Sequence, residues 1–296
     1  MNIFLTGATG YIGSAVAEKL KADGHHIIGL ARSKESSIRL QEMGIEVHTG
    51  DLCDSESIIA GVSKSDGVIH TAAAKGSDRE RLDKIAVKAI LKGLDGYGKT
   101  FIYTSGSMIY GDTGDVIVDE DSPLRSNPIM EWRIPVEEDV LASVKRNIRS
   151  IIIRPVTVYG GRGNRILPKL VKLARENGAA KYIDNGDIRW TTIHLGDLAE
   201  LYFLALEKAQ GGTLFNASSN HSMTTKEFAE AIAKAAGIPG KVTSWTFEDA
   251  KHTLGAFANR LNMNLQLSSA KATKLLGWTS KQHSILDEIS KLTCIS

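Results

Sequence analysis

Short apolar runs alternate with amphipathic stretches through the first half of the chain. Ile3-Phe4-Leu5 runs into glycines at positions 7, 10 and 13 and then into the helix-patterned Ser14-Ala15-Val16-Ala17-Glu18-Lys19-Leu20. Gly24 marks a stop, and His26 to Ala31 reads as a second strand. Ser36 to Met43 is helical, Ile45 to Gly50 is a third strand, and Asp54 is placed to cap a helix through Ile58, Ile59 and Val62. Gly67 to Ala72, Thr100 to Ser105 and Asn147 to Val156 supply three more strands, with a helix from Arg79 to Leu94. Apolar strands alternating with helices predict an α/β fold, a doubly wound parallel sheet covered on both faces.

The second half is less regular. Leu167 to Glu176 and Asp197 to Ala209 read as helices, Gly186 to His194 as an extended piece and Thr213 to Ala217 as a strand. Thr224 is placed to cap a helix through Phe228, Ile232 and Ala236 that ends at Gly237. Residues 241–296 are mixed. There is neither a long Pro/Gly/Ser linker nor an internal repeat, so any second domain packs against the first.

The first strand–turn–helix carries the most chemistry. Thr6-Gly7-Ala8-Thr9-Gly10-Tyr11-Ile12-Gly13 turns from strand to helix through three glycines. Such a turn aims unpaired N–H groups and a positive dipole end at one point, a seat for pyrophosphate. The glycines allow the tight turn, the approach of backbone to phosphate and close helix–strand packing. The cofactor-binding set predicted here begins with Gly7, Thr9, Gly10, Tyr11, Ile12 and Gly13. An acid after the second strand would bind a ribose 2′-hydroxyl; the chain has Arg32 and Ser33 there, which suit a 2′-phosphate. NADP(H) is therefore favoured over NAD(H). Asp51 and Leu52 follow strand three at the adenine edge, and Thr71, Ala72 and Ala73 follow strand four, small enough to pass the ribose.

Composition narrows the partners. Net charge is +2 without a dense basic block, which gives no reason to expect nucleic acid. Cys53 and Cys294 lie far apart with no metal-ligand spacing, so neither a metal nor a disulfide is expected, and a reducing compartment is. With no apolar run near 18 residues and no basic-then-apolar leader, the expectation is a cytoplasmic protein that takes a small-molecule substrate and makes no membrane contact.

The ordered motifs resemble those of the extended short-chain dehydrogenase/reductases, the NAD(P)-dependent epimerase/dehydratase type. They are the glycine turn, Asp51-Leu52, Tyr103-Thr104-Ser105-Gly106-Ser107-Met108-Ile109-Tyr110-Gly111, Arg154-Pro155-Val156-Thr157-Val158-Tyr159-Gly160, and His194-Leu195-Gly196-Asp197. The match runs nearly the whole length, to Leu276-Gly277-Trp278. The resemblance implies a Rossmann dinucleotide-binding domain from residues 1–158 plus about 190–217. A smaller, interleaved substrate domain is implied from about 159–189 plus 218–296. It adds Thr104, Ser105, Arg154 and Pro155 to the cofactor set, makes Tyr159, Trp190 and His194 candidate substrate-lining residues, and implies that a homodimer can form through the helices carrying residues 79–94 and 132–146.

The family's catalytic pair, a Tyr with a Lys four residues later, should fall near residues 130–136. This chain reads Met130-Glu131-Trp132-Arg133-Ile134-Pro135-Val136, and no Tyr occurs between Tyr110 and Tyr159. The family's Ser or Thr falls on Gly106, flanked by Ser105 and Ser107. The pattern resembles the atypical branch that keeps the glycine motif without the usual active-site residues. Ser107, Arg133 and Tyr110 are the alternative catalytic candidates: Ser107 as a hydrogen-bond donor, Arg133 as a polarising cation, Tyr110 as a phenol near the cleft. For Arg133 a structural ion pair with Glu137 or Glu138 competes, and for His194 a structural role. Three functions follow in order: NADPH-dependent reduction of a small carbonyl, a dinucleotide-binding sensor without turnover, and nucleotide-sugar epimerase or dehydratase action, which leans on the missing Tyr.

Overall fold

The computed structural model describes residues 1–74, 76–125, 129–161, 163–164 and 166–292. The first half contains β1 (Asn2–Thr6), α1 (Tyr11–Ala22), β2 (His26–Ala31), α2 (Lys34–Glu42), β3 (Glu46–Thr49), α3 (Ser55–Ser63), β4 (Gly67–His70), α4 (Arg79–Leu94) and β5 (Thr100–Thr104). A two-residue β6 (Ile117–Val118) precedes α5 (Arg133–Ala142), β7 (Arg149–Pro155) and β8 (Thr157–Tyr159). Then come α6 (Ile166–Asn177), β9 (Ala180–Ile183), β10 (Arg189–His194), α7 (Leu195–Lys208), β11 (Thr213–Ala217), β12 (Ser222–Thr224) and α8 (Thr225–Ala235). The mixed tail forms β13 (Val242–Trp245), α9 (Phe247–Leu254), α10 (Ala256–Leu261), β14 (Gln266–Leu267), α11 (Ala270–Leu276) and α12 (Ile285–Lys291).

Seven strands form one parallel sheet in the order β11-β7-β5-β4-β1-β2-β3. The order reverses between β1 and β4, which opens a crevice beyond their carboxyl ends. Side-chain alternation builds the two faces. Ile3 and Leu5 point to the core with Val16, Leu20 and the α7 residues Leu198 and Tyr202, while Phe4 points to the core with Ile58, Val62 and Ile90. Tyr103 and Phe101 share the second face and Ile102 the first. This is the doubly wound α/β arrangement expected from the pattern.

A smaller three-stranded sheet runs β12-β10-β8, and β9 pairs with β13. Arg189–His194 pairs with β8 and β12, so this strand belongs to the smaller sheet, whereas β11 belongs to the large one. Boundaries shift where caps intervene. Asn147 adopts a left-handed φ of 55°, ending the preceding turn, so β7 starts at Arg149. His194 accepts a hydrogen bond from Gly196 N–H, starting α7 at Leu195, two residues ahead of the periodic run. Thr224 caps α8 as anticipated, in a reciprocal capping box with Glu227. No helix among the described residues is long and apolar enough to cross a membrane. Cys53 is exposed, and Cys294 lies outside the described residues.

The crevice depends on Gly13. A Cβ there would fall 2.1 Å from the Gly7 carbonyl oxygen and 2.5 Å from Thr71 Oγ1. Gly13→Ala should therefore destabilise the protein by about 1–3 kcal/mol through overpacking. Urea unfolding measures this, and an unchanged midpoint would contradict the close approach.

Candidate functional site

At the end of β1 the chain reverses through Gly7, whose φ of +77° favours glycine, and a Cβ there would meet the Ala72 backbone at 2.7 Å. Gly10 N–H closes the turn onto the Gly7 carbonyl at 2.8 Å. The helix that follows has no side-chain cap and no acid in its first turn. Its leading N–H groups and positive dipole end are thus left for an anionic ligand.

This turn floors a groove of about 740 Å³ at the β1/β4 crevice, a volume ordinary for a cofactor site. The structure brings Gly7, Thr9, Gly10, Tyr11, Ile12 and Gly13 together along one wall. Arg32, Ser33, Asp51 and Leu52 come from the ends of β2 and β3, and Thr71, Ala72 and Ala73 from the end of β4. Asp51 accepts the Cys53 N–H at 3.0 Å, and this bond, with a smaller pull from Arg32, holds its carboxyl below the usual range. The turn's donors, the small residues after β4 and the basic edge at α2 fit a dinucleotide.

Sequence reasoning missed Ser36 and Arg39, which line the same groove. Ser33 caps α2 by accepting from Ser36 N–H, and Arg39 Nη2 donates to the Thr9 carbonyl at 3.1 Å, tying α2 to the glycine turn. The spacing Ser33, Ser36, Arg39 places all three on one helical face, the signal that could have found them.

The remaining predicted residues go elsewhere. Thr104, Ser105, Arg154 and Pro155 do not line this groove. Thr104 Oγ1 pairs with Tyr202 OH at 2.5 Å. Arg154 is 4 % exposed and directs its guanidinium to buried Glu137 and, at 2.8 Å, to Tyr110 OH. Pro155 is buried at the end of β7, paired with Ala217. Tyr110 OH donates to Asn216 Oδ1 at 2.8 Å, so its oxygen both donates and accepts within the core, and burial raises its pKa. That leaves the phenol engaged between Arg154 and Asn216, away from the cleft surface where sequence placed it.

Arg133 is likewise walled in at 2 % exposure. It donates to Tyr103 OH at 2.9 Å and to the Thr104 carbonyl at 2.8 Å, and lies 3.8 Å from Asp83. Tyr103 OH in turn donates to Asp83 at 2.6 Å, while His70 lies 3.5 Å from Asp83 and bonds Thr6 Oγ1 at 2.7 Å. Burial works to raise the Asp83 pKa, but His70, Arg133 and Tyr103 together hold it below the usual range. The ion pair expected for Arg133 with Glu137 or Glu138 is therefore replaced by Asp83, because Glu137 is taken by Arg154. Ser105 and Ser107 differ from these groups: both are buried, and neither hydroxyl has a hydrogen-bond partner.

In the smaller part, Trp190 is 1 % exposed and packs edge-on against Phe228 at 5.2 Å, a core position where a substrate-lining one was expected. Tyr159 OH donates to the His283 carbonyl at 2.6 Å and stacks edge-on against His194. His194, His283 and Glu288 offer ligand atoms within 4.8 Å of one another. The chemistry disfavours a metal there. His194 Nδ1 already accepts the Gly196 N–H, which leaves the ring proton on Nε2, and Lys291 Nζ lies 3.0 Å from His283 Nε2.

A doubly wound sheet with a glycine-turn groove at its switch point defines an NAD(P)-type Rossmann protein. Residues 3–218 match the NAD dependent epimerase/dehydratase family, and the chain belongs to that family; a dinucleotide NAD(P) cofactor is typical of it. An uncharacterized protein of Schizosaccharomyces pombe is 32% identical over 98% of both chains. A 4-hydroxy-2-methyl-3-oxo-4-farnesyl-3,4-dihydroquinoline-1-oxide ketoreductase of Stigmatella aurantiaca is 24% identical, covering 85% of this chain and 78% of its own. The structure of a UDP-glucose 4-epimerase from Thermotoga maritima superposes with a TM-score of 0.82 at 18% identity, covering 99% of this chain and 97% of that one, a likeness of fold.

The Arg154–Glu137 pair yields a stability test. Glu137→Ala strands a buried guanidinium and should cost about 3–5 kcal/mol, whereas Glu137→Met with Arg154→Met should recover most of that loss. Denaturant midpoints of the single and double variants check this, and a single variant as stable as the parent would contradict the buried pairing.

Proposed function

We propose that the protein is an NADPH-dependent oxidoreductase that reduces a small carbonyl compound through a non-standard active site. The observation that carries this reading is the basic, hydroxyl-rich edge of the groove, lined by Arg32, Ser33 and Ser36 at the start of α2 and by Arg39 from its last turn. Two guanidiniums along this edge, with the N-terminus of α2, suit a 2′-phosphate, and β2 is followed by Arg32 and Ser33 rather than directly by a carboxylate, with Glu35 of the first helical turn also lining the groove. The likeness to a ketoreductase supports reduction as the direction of the chemistry.

The bound cofactor supplies hydride; the chain supplies position and electrostatics. The glycine turn holds the pyrophosphate through the first amides of α1. Ser107, with its hydroxyl uncommitted just past β5, is the group proposed to hydrogen-bond the carbonyl oxygen, with Ser105 beside it. Arg133 acts as a positioning residue, fixing the Thr104 carbonyl and β5 from behind. Tyr110 and Arg154 hold the segment that carries Ser107. The proton comes from water, and the lack of a tuned phenol costs roughly 10²–10⁴ in rate.

A second reading has its own support. Arg133, on the helix where the family's acid–base pair belongs, is consumed by Asp83 and Tyr103, which suits a dinucleotide-binding sensor without turnover. Such a sensor must bind oxidised and reduced cofactor with different affinity, since a response needs a differential free energy.

Quenching of the tryptophans during titration tests both. NADPH should bind more tightly than NADH, and Arg32→Ala or Arg39→Ala should each weaken NADPH about tenfold or more, the worth of a charge-assisted hydrogen bond. Equal affinities for NADPH and NADH would remove the phosphate assignment. With a carbonyl panel, NADPH consumption that falls in Ser107→Ala supports reduction. No consumption, with a clear affinity difference between NADP⁺ and NADPH, supports the sensor.

A further inference from the structure

The C-terminal segment is fastened to the rim of the dinucleotide groove around one histidine. Tyr11, which lines the groove and opens α1, donates its hydroxyl to the Gly160 carbonyl at 2.6 Å. Gly160 follows β8 with a φ of +80°, and the His194 ring lies directly against it: a Cβ on Gly160 would fall 2.2 Å from His194 Nε2. The preceding Tyr159 packs edge-on against His194 and donates to the His283 carbonyl at 2.6 Å. The rings of His194 and His283 lie 5.1 Å apart, centroid to centroid. Asp197 accepts from Ser280 Oγ at 2.6 Å, from Lys281 N–H at 3.0 Å and from Gln282 N–H at 3.1 Å. Glu288 of α12 faces His283 Nε2 at 2.5 Å. The tail therefore hangs on the start of α7.

This arrangement suits only a neutral His194. Its Nδ1 accepts the Gly196 N–H at 3.0 Å as the cap of α7, and a proton on Nδ1 would set two donors face to face. The imidazolium would also stand at the positive end of that helix. The groups that face it are Tyr159 from β8, Asp197 from α7, and His283, Glu288 and Lys291 from the tail, with Lys291 Nζ 3.0 Å from His283 Nε2. Burial and then His283 hold the His194 pKa below the ordinary histidine value, against the opposing pull of Asp197 and Glu288. Both carboxylates are already engaged. Either one can answer a charge on His194 only by loosening its hold on residues 280–283.

We propose that His194 is a pH-sensitive latch: its protonation releases the tail from the start of α7 and, through Gly160 and Tyr11, weakens dinucleotide binding. The ring cannot move without displacing Gly160, whose carbonyl anchors Tyr11, and Tyr11 carries one of the first amides of α1. The latch is closed above the ordinary histidine value of about 6.5. It opens as the pH falls through the lower value of His194. The coupling rests on the groove holding the dinucleotide, the cofactor half of the reductase reading, and is independent of turnover.

The experiment compares the full chain with His194→Asn, whose amide oxygen serves as a helix cap but takes no proton. NADPH is titrated by tryptophan quenching from about pH 8 to about pH 5, across the histidine range. Amide hydrogen exchange of residues 278–291 is followed at the same pH values. The 2′-phosphate of NADPH titrates in this range as well, but its effect is common to both proteins and cancels in the ratio of their dissociation constants. On acidification that ratio should move against the parent by about fivefold or more, an ordinary size for coupling between two sites. The parent's tail should exchange faster than the variant's at the acid end and at the same rate at the alkaline end. In a Tyr11→Phe background the ratio should stay constant while the difference in exchange persists, because the latch still opens but its link to the groove is gone. A constant ratio with Tyr11 present overturns the coupling, and equal exchange at the acid end overturns the latch. The parent alone gives an independent check should a variant fail to fold. Coupling is reciprocal, so saturating NADPH should shift the titration of the His194 ring resonance to lower pH, and an unmoved titration overturns the proposal. No NADPH binding at any pH would sink the cofactor reading and the coupling with it, while exchange still decides the latch.

Discussion

The close approach of the glycine turn to β4 is the constraint on which the rest of the molecule hangs. Gly7 sits against the Ala72 backbone and Gly13 against the Gly7 carbonyl and Thr71, with no room for a Cβ at either place. This contact seats α1 on the sheet, with Val16, Ala17 and Leu20 fully buried, and it sets the depth of the crevice. It also leaves the first amides of α1 without a protein partner. Packing and ligand binding therefore share one cause.

A second layer of order comes from buried charge. The face carrying Tyr103 would be a plain apolar surface but for the chain Thr6–His70–Asp83–Tyr103–Arg133, which links β1, β4, α4, β5 and α5. Beside it, Arg154, Glu137, Tyr110, Asn216 and Glu120 link β7, α5 and β11. Both chains end on α5, so the position of that helix is set by directional bonds as well as by Val136 and Val140 in the core. Hydrogen bonds of this kind specify one arrangement because each broken partner leaves a buried polar group unmet.

What could be read from the sequence follows from the range of the interaction responsible. Strands such as Thr213–Ala217 and helices such as Arg79–Leu94 declare themselves by local periodicity, and the structure has them at those bounds. The glycine turn was legible because its mechanics are confined to seven consecutive residues. Partners across the fold were not. Nothing near Arg133 in the chain announces Asp83, fifty residues earlier in sequence, and the nearer Glu137 is diverted to Arg154. Trp190 reads as a cleft residue by its place in a motif, yet β10 turns it toward Phe228. Ser33, Ser36 and Arg39 lay within reach of helical spacing, but only Ser33 stood at a strand end where a ligand is sought.

The way the chain passes between the two sheets has a mechanical consequence. Only Val156 separates β7 of the large sheet from β8 of the small one, β10 runs without a break into α7, and β11 is followed within a few residues by β12. One apolar core continues from Ile3 and Leu5 through Trp190 and Phe228 to Ile289. Three such stiff crossings act as struts rather than as a hinge, and any large rotation of one part against the other would shear that common core. The placement of the small sheet against the large one is therefore set by their shared core and by these short crossings.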